Sequence, residues 1–189
     1  DQHQRGPKVY ALHAPEVECI GKGKARAPYE FGCKVSIATP VTSPKGGQFV
    51  LHAKALHGNP FDGHTLGPVI ADMEKLTGVE ARRIHVDKGY RGHNHPHRFR
   101  VWISGQVRRV TASIRREMKR RAAVEPVIGH VKAEHRMDRN YLKGRDGDRS
   151  NAVLAAAGYN FSLLLRWLAA LWRALIQLLA GTGPVPQII

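Results

Sequence analysis

Cysteine is scarce: Cys19 and Cys33 are the two in 189 residues, too few for a disulfide framework, and no Cys-x2-Cys pair suggests a zinc module. Nothing at the N-terminus has the charged, apolar and small-residue order of a signal peptide. Together these absences fit a reducing cytoplasm. Acidic residues are also short in supply. Fifteen Asp and Glu stand against thirty Lys and Arg, for a formal charge of +15 and a pI near 10.4. Such a field attracts polyanions, so nucleic acid is the first partner to consider; a ribosomal or merely soluble basic protein is the plainer alternative. Methionine is missing before Met73, and the chain opens on Asp1. Starting at Met73 would discard strand-like segments, so the sequence reads as a piece of something longer.

What is present suits one α/β domain with its own core, since 42% of the residues are hydrophobic and the length suffices for burial. Residues 1–27, rich in Gly, Pro, Lys and Arg, read as a basic entering arm with one short β-prone piece at 9–12. Residues 28–179 read as the main domain and 180–189 as a disordered tail. Phe31, Val35 and Ile37 alternate within 29–39, as do Phe49, Leu51, Ala53 and Ala55 within 48–56; both predict strands joined as a hairpin through 42–47. After the Gly58-Asn59-Pro60 break, Asp62 stands where an N-cap belongs, and a helix runs to about Thr77, closed by Gly78. Residues 83–87 and 99–103 are short strands, and 111–136 is helical. Pro126 predicts a break or restart near Val124, because proline is tolerated only in a first turn.

The apolar stretch 150–179 reads as one long helix. Arg166 and Arg173 divide it into pieces shorter than the roughly 20 residues of a membrane span. Leu164, Leu168, Leu171, Leu175 and Leu178 follow helical spacing, so the expectation is a core helix packed on a sheet or an oligomer contact.

Chemistry concentrates in two places. Asp87 ends a β-branched strand and is followed by Lys88-Gly89-Tyr90-Arg91-Gly92, the position where α/β sheets bind ligands. Arg121, Glu125 and Lys132 share the basic helix. Carboxylates from separate elements can hold two divalent ions for attack at a phosphodiester, and oxygen ligands suit magnesium. Taken singly, each acid has a plain reading: a strand-end Asp caps a turn, and a helical Glu forms a solvated ion pair.

The combination is more specific. Arg121-x3-Glu125-x6-Lys132, 38 residues after Asp87, resembles the Y-x2-R-x3-E-x6-K signature of insertion-sequence transposases of the five-type family, with Met118 at the tyrosine position. Blocks 13–24, 29–32, 58–66, 129–137 and 156–160 also resemble that family, so the likeness spans about Lys8 to Leu171. The resemblance implies an RNase H-like mixed sheet flanked by helices, incomplete at its N-terminal strand, with an Asp-Asp-Glu triad. Asp87 matches the second aspartate and Glu125 the glutamate, both as catalytic and metal-binding residues with Mg2+ or Mn2+. The first aspartate, the first core strand and an N-terminal DNA-recognition region have no match. Arg121 and Lys132 would contact DNA phosphate or position Glu125, with Lys88, Tyr90, Arg91, Arg116 and Arg120 in support.

The activity so implied is metal-dependent cleavage and strand transfer of an insertion sequence on double-stranded DNA. The implied setting is a homo-oligomeric synaptic complex in a bacterial cytoplasm, at the nucleoid and without membrane association. A catalytically inactive DNA-binding remnant is the alternative, since Arg108, Arg109, Arg115, Arg116, Lys119, Arg120 and Arg121 could track a DNA backbone by themselves. Asp62 is adjacent to the core and could be a further ligand, although its place favours helix capping; Glu16 and Glu18 are weaker candidates. A zinc site from His13, Cys19, Cys33 and the His93, His95, His97 cluster lacks the paired spacing such sites use.

Overall fold

The computed structural model describes residues 6, 8–21, 25–26, 28–42 and 44–181. The expected tail is described only through Gly181; residues 182–189 lie outside the described residues. Strands β1 (Glu18–Gly21), β2 (Tyr29–Gly32), β3 (Lys34–Ala38) and β4 (His52–Leu56) open the chain. The expected strand over 29–39 is two strands, because Gly32 takes φ 135° and the ladder changes partner there. β2 pairs antiparallel with β1, Glu18 opposite Gly32, whereas β3 pairs antiparallel with β4, Lys34 opposite Leu56. The N-terminal arm therefore supplies a strand, at 18–21 and not at 9–12, because β2 needs a partner for its own backbone groups.

Helix α1 (Asp62–Thr77) ends as expected at Gly78, which adopts the left-handed conformation with φ 68°. Its start differs. Phe61 is the N-cap and no side chain caps the helix; Asp62 lies in the first turn and its carboxylate binds Lys34 Nζ at 2.9 Å. Pro68 sits inside α1. Having no N–H, it leaves the carbonyl of His64 without its helical donor, and Asn94 Nδ2 donates to that oxygen at 2.5 Å. Asn94 Oδ1 in turn accepts the Gly67 N–H at 2.9 Å, and the Asn94 N–H donates to Gly63 O at 2.8 Å. The loop after Asp87 is thus sewn to the first turns of α1. A Cβ at Gly67 would stand 3.2 Å from Asn94 Oδ1, so glycine permits this approach.

Strands β5 (Ile84–Val86) and β6 (Val101–Ile103) pair in parallel, Ile84 opposite Val101. The helical region that follows is broken as Pro126 predicts: α2 (Ala112–Arg120), a 3-10 turn over Arg121–Ala123, then α3 (Val124–Ala133). Thr111 Oγ1 caps α2 by accepting the Ile114 N–H. Helix α4 (Gly144–Leu179) completes the chain. The described residues therefore hold three two-stranded sheets rather than one continuous mixed sheet. Their strands are three to five residues long, and side-chain packing, not further ladder bonds, joins them.

Two apolar clusters do this joining. Leu66, Ile70 and Met73 of α1 pack on Ile84, Val86 and Val101, with Ala38 and Leu51 at the margin. Val127 and Val131 of α3 pack with Ala155, Ala156, Tyr159 and Leu163 of α4 and with Val50. The leucine stripe of α4 does not follow. Leu164, Leu168, Leu171, Leu175 and Leu178 are 40–78% exposed, which overturns the expectation of a core face. A helix of 36 residues is about 54 Å long at 1.5 Å per residue, more than this core can cover, and packing stops at Leu163. By length and composition α4 could cross a bilayer, with a mean hydropathy of 1.4 in its most apolar window; Arg166 and Arg173 interrupt the run.

Candidate active site

Three side chains bracket the end of β5. Asp87 follows its last residue, adopts extended backbone, and caps the 3-10 turn Lys88–Tyr90 by accepting the Gly89 N–H at 2.9 Å on Oδ1. That bond fixes the carboxylate rotamer. Asp62 approaches from the first turn of α1: a Cβ at Gly89 would stand 2.8 Å from Asp62 Oδ2 and 3.1 Å from Asp87 Oδ1. Only glycine leaves room for two carboxylates on either side of that turn. Lys34, from the adjacent hairpin, donates to Asp62 Oδ1 at 2.9 Å and to Pro60 O at 2.8 Å, so one ammonium offsets part of the paired negative charge.

Tyr90 closes the floor. Half-buried against the α1 cluster, its hydroxyl is held above the usual phenol range by burial, then by the charges of Asp62 and Asp87, with bonds to Ser36 and Thr65 acting in the opposite sense. It is a neutral hydrogen-bonding group at physiological pH. Lys88 and Arg91 are exposed at the rim.

Asp62, Asp87 and Tyr90 line a cavity of about 790 Å³ that Arg120, Arg121 and Lys132 also line. The structure thus brings six expected or considered residues to one hollow. Glu125 is placed differently. It lies in the first turn of α3, its side chain is 68% exposed and bonds to Arg121 Nη2 at 3.5 Å, and it is not among the cavity-lining residues. Among the described residues no hydrogen bond or ion pair links it to Asp87. Arg121 is the shared neighbour: its guanidinium reaches Glu125, while its Nε is buried without a partner.

A basic face continues from the cavity. Arg108, Arg109, Arg115, Arg116, Lys119 and Arg120 are exposed, and among the described residues none of them forms an ion pair. Glu117 on the same helix is the exception to this basic run. It binds Arg83 Nη2 at 2.8 Å and His85 Nε2 at 2.9 Å, anchoring α2 to β5 directly before Asp87. Sequence reasoning passed over Glu117; the signal was His85 itself, a polar residue between the buried Ile84 and Val86 that needs a partner.

His93 and His95 are buried, His95 Nδ1 accepts the His97 N–H at 3.1 Å, and among the described residues these rings form no metal-ligating group. Cys19 and Cys33 are free thiols. Burial, followed by the Asp148 charge, pushes the Cys33 thiol up to about 11.

Residues 87–165 match the family described as Transposase DDE domain. No curated protein and no solved structure matches the chain. The matched stretch begins at Asp87 and takes in Arg121, Glu125 and Lys132.

Proposed function

We propose that this chain, which is similar to the transposase DDE domain family over residues 87–165, cleaves and transfers DNA strands of an insertion sequence through a carboxylate site centred on Asp87. The observation that carries the reading is the paired placement of Asp87 and Asp62 around Gly89, in a cavity that Arg120, Arg121 and Lys132 also line. In this reading the domain is RNase H-like, the substrate is double-stranded DNA, the protein works in the cytoplasm at the nucleoid, and copies assemble on the element ends.

The donor set fits a hard divalent ion. Two carboxylates converge, and Mg2+ or Mn2+ favours oxygen ligands with positions left for water and phosphate. Asp87, with Asp62 beside it, would hold the metal, which when bound activates the attacking hydroxyl and stabilises the leaving oxygen; Glu125 would join them only by turning from Arg121 and solvent into the cavity. The chain's own groups do the rest. The Gly89 N–H keeps the Asp87 carboxylate aimed into the cavity, and Lys34 tethers Asp62 without occupying both of its oxygens. Arg120, Arg121 and Lys132 receive the phosphodiester, supported by Lys88, Arg91 and Arg116 as backbone contacts. Tyr90 keeps its proton and orients the turn.

The test is plasmid nicking and joining of a labelled duplex with Mg2+ or Mn2+. The expected result is metal-dependent cleavage that Asp87→Ala abolishes and Glu125→Gln reduces at least about 100-fold, the size typical of losing a metal ligand or a general acid–base group. Salt-sensitive duplex binding with no cleavage under any divalent metal would overturn the enzymatic reading in favour of a DNA-binding remnant.

A further inference from the structure

We infer that Cys33, His57 and Asp148 form a second metal site, for a zinc-class divalent ion, distinct in its chemistry from the carboxylate site. The three residues come from separate segments: Cys33 from the link between β2 and β3, His57 from the turn after β4, and Asp148 from the second turn of α4. One ligand atom from each lies within 4.8 Å of the other two. His57 Nε2 and Asp148 Oδ2 are 3.1 Å apart, close to the edge of about 3.3 Å expected for a tetrahedron with zinc–ligand bonds near 2.0 Å. The thiol is then brought to the third vertex by a small side-chain movement, and the fourth is left to water.

Their surroundings resemble those of built sites. The His57 and Asp148 side chains are only 9% and 17% exposed, and Cys33 is half-buried. Asn140 Nδ2 donates to Asp148 Oδ1 at 2.8 Å while Asn140 Oδ1 accepts the Leu142 N–H at 2.9 Å. This fixes the carboxylate and leaves Oδ2 for the site, as outer ligands commonly do. The flanks are pinned too: Glu18 accepts the Gly58 and Asn59 N–H groups at 2.6 and 2.8 Å, and Glu16 accepts the Gly144 N–H at 2.6 Å. A His–Asp pair by itself would account for two of the residues, but not for a half-buried thiol within 4.8 Å of both, whose hydrogen bond to Lys34 O at 3.4 Å a metal would replace.

The donor types select the ion. One sulfur, one imidazole and one carboxylate favour zinc or cobalt over magnesium, which suits the all-oxygen pair at Asp62 and Asp87. The ion would clip the β3–β4 hairpin to the start of α4. Because Cys33 precedes Lys34, the tether of Asp62, it would also stiffen one support of the cavity.

The full chain, stripped with chelator, is titrated with Co2+ under reducing conditions and followed by its visible and near-ultraviolet absorption, then with Zn2+ by calorimetry. One equivalent should bind, with a thiolate-to-cobalt band and the intense visible absorption of a tetrahedral ion. Cys33→Ser should remove the thiolate band; Cys33→Ser, His57→Ala and Asp148→Asn should each weaken Zn2+ binding at least about 10-fold. Cys19→Ser and His95→Gln should leave both unchanged. Zn2+ should raise the melting temperature of the native chain and not of Cys33→Ser, whose circular dichroism without metal matches the parent. No binding by the native chain, or a thiolate band that survives Cys33→Ser, overturns the site. Mg2+-dependent nicking is scored separately, so loss of one result leaves the other standing.

Discussion

The side-chain amide of Asn160 satisfies both backbone groups of Val50, 110 residues away: its Oδ1 accepts the Val50 N–H and its Nδ2 donates to the Val50 carbonyl, each at 2.8 Å. Val50 stands just before β4, in the cluster with Val131 and Leu163, and among the described residues no strand pairs with its own backbone groups. An amide on α4 therefore replaces a strand partner and locks helix to hairpin. Asn160→Ala leaves two backbone groups unpaired and should cost about 2–4 kcal/mol, from about 1–3 for each unsatisfied group with partial hydration. Urea unfolding of the variant checks it; a loss under about 0.5 kcal/mol would show that water substitutes freely.

Asn94 performs a related repair on α1, where Pro68 withholds the donor for His64 O. Asn94→Ala should destabilise by about 1–3 kcal/mol. In a Pro68→Ala background the helix supplies its own donor, so the same change should cost at least about 0.5 kcal/mol less. Equal costs in the two backgrounds would show that the repair is not what Asn94 contributes.

Gly89 separates the two carboxylates. Gly89→Ala introduces a methyl 2.8 Å from Asp62 Oδ2 and 3.1 Å from Asp87 Oδ1, at a residue whose backbone is not left-handed. Flexible side chains give way, so the fold should survive while the carboxylates move apart. Metal-dependent nicking should fall by at least about 10-fold, the cost of a modest misplacement at a reacting centre, with a melting temperature within about 2 °C of the parent. Unaltered nicking would place the reacting centre elsewhere.

Stability should decline on acidification. Burial depresses the pKa of His52, His85 and His93, with Glu117 partly opposing this at His85. Each is neutral in the fold at pH values where an unfolded histidine, near 6.5, begins to protonate. The folded pKa lies below the unfolded one, so the contribution is fully present above pH of about 6.5 and is lost as pH falls toward the folded values. Melting temperature should drop between pH of about 7.5 and 5, and His85→Gln should flatten that slope. A steeper slope in the variant would contradict the assignment.

Packing along α4 changes at Leu163. Leu163, buried at 7%, should lose about 2–4 kcal/mol on truncation to alanine, while Leu171, 56% exposed, should lose less than about 0.5 kcal/mol. Chemical denaturation of both variants at low protein concentration measures the contrast. Comparable losses would mean that the second half of α4 is covered in solution.

Local pattern was legible where short-range physics decides it. Alternation within 29–39 and 48–56 marked the hairpin, whose paired strands are the shorter Lys34–Ala38 and His52–Leu56, Gly78 ended α1 because a left-handed residue was needed there, and Pro126 placed the restart at Val124. Asp87 stands at the end of β5 as its β-branched run implied, and the family likeness carried by Arg121, Glu125 and Lys132 agrees with the match over 87–165. The long-range features were not legible. Asp62 looked like a cap because its spacing to the helix was all that could be read; its preference for Lys34 depends on a hairpin 28 residues away. The leucine spacing on α4 was a true helical period, yet a period states which residues share a face and not whether anything lies against it.

The chain's charge, the order of its helices and main hairpin, and the chemistry of its acids thus follow from the amino acids alone, because propensity, periodicity and ionisation are local properties. Tertiary structure decided which groups meet. It set Asp62 beside Asp87 around Gly89, turned Glu125 toward Arg121 and solvent, and gathered Cys33, His57 and Asp148 from three segments. Those outcomes depend on the closure of two separate cores around α1 and α4, where partners distant in sequence compete for the same few positions.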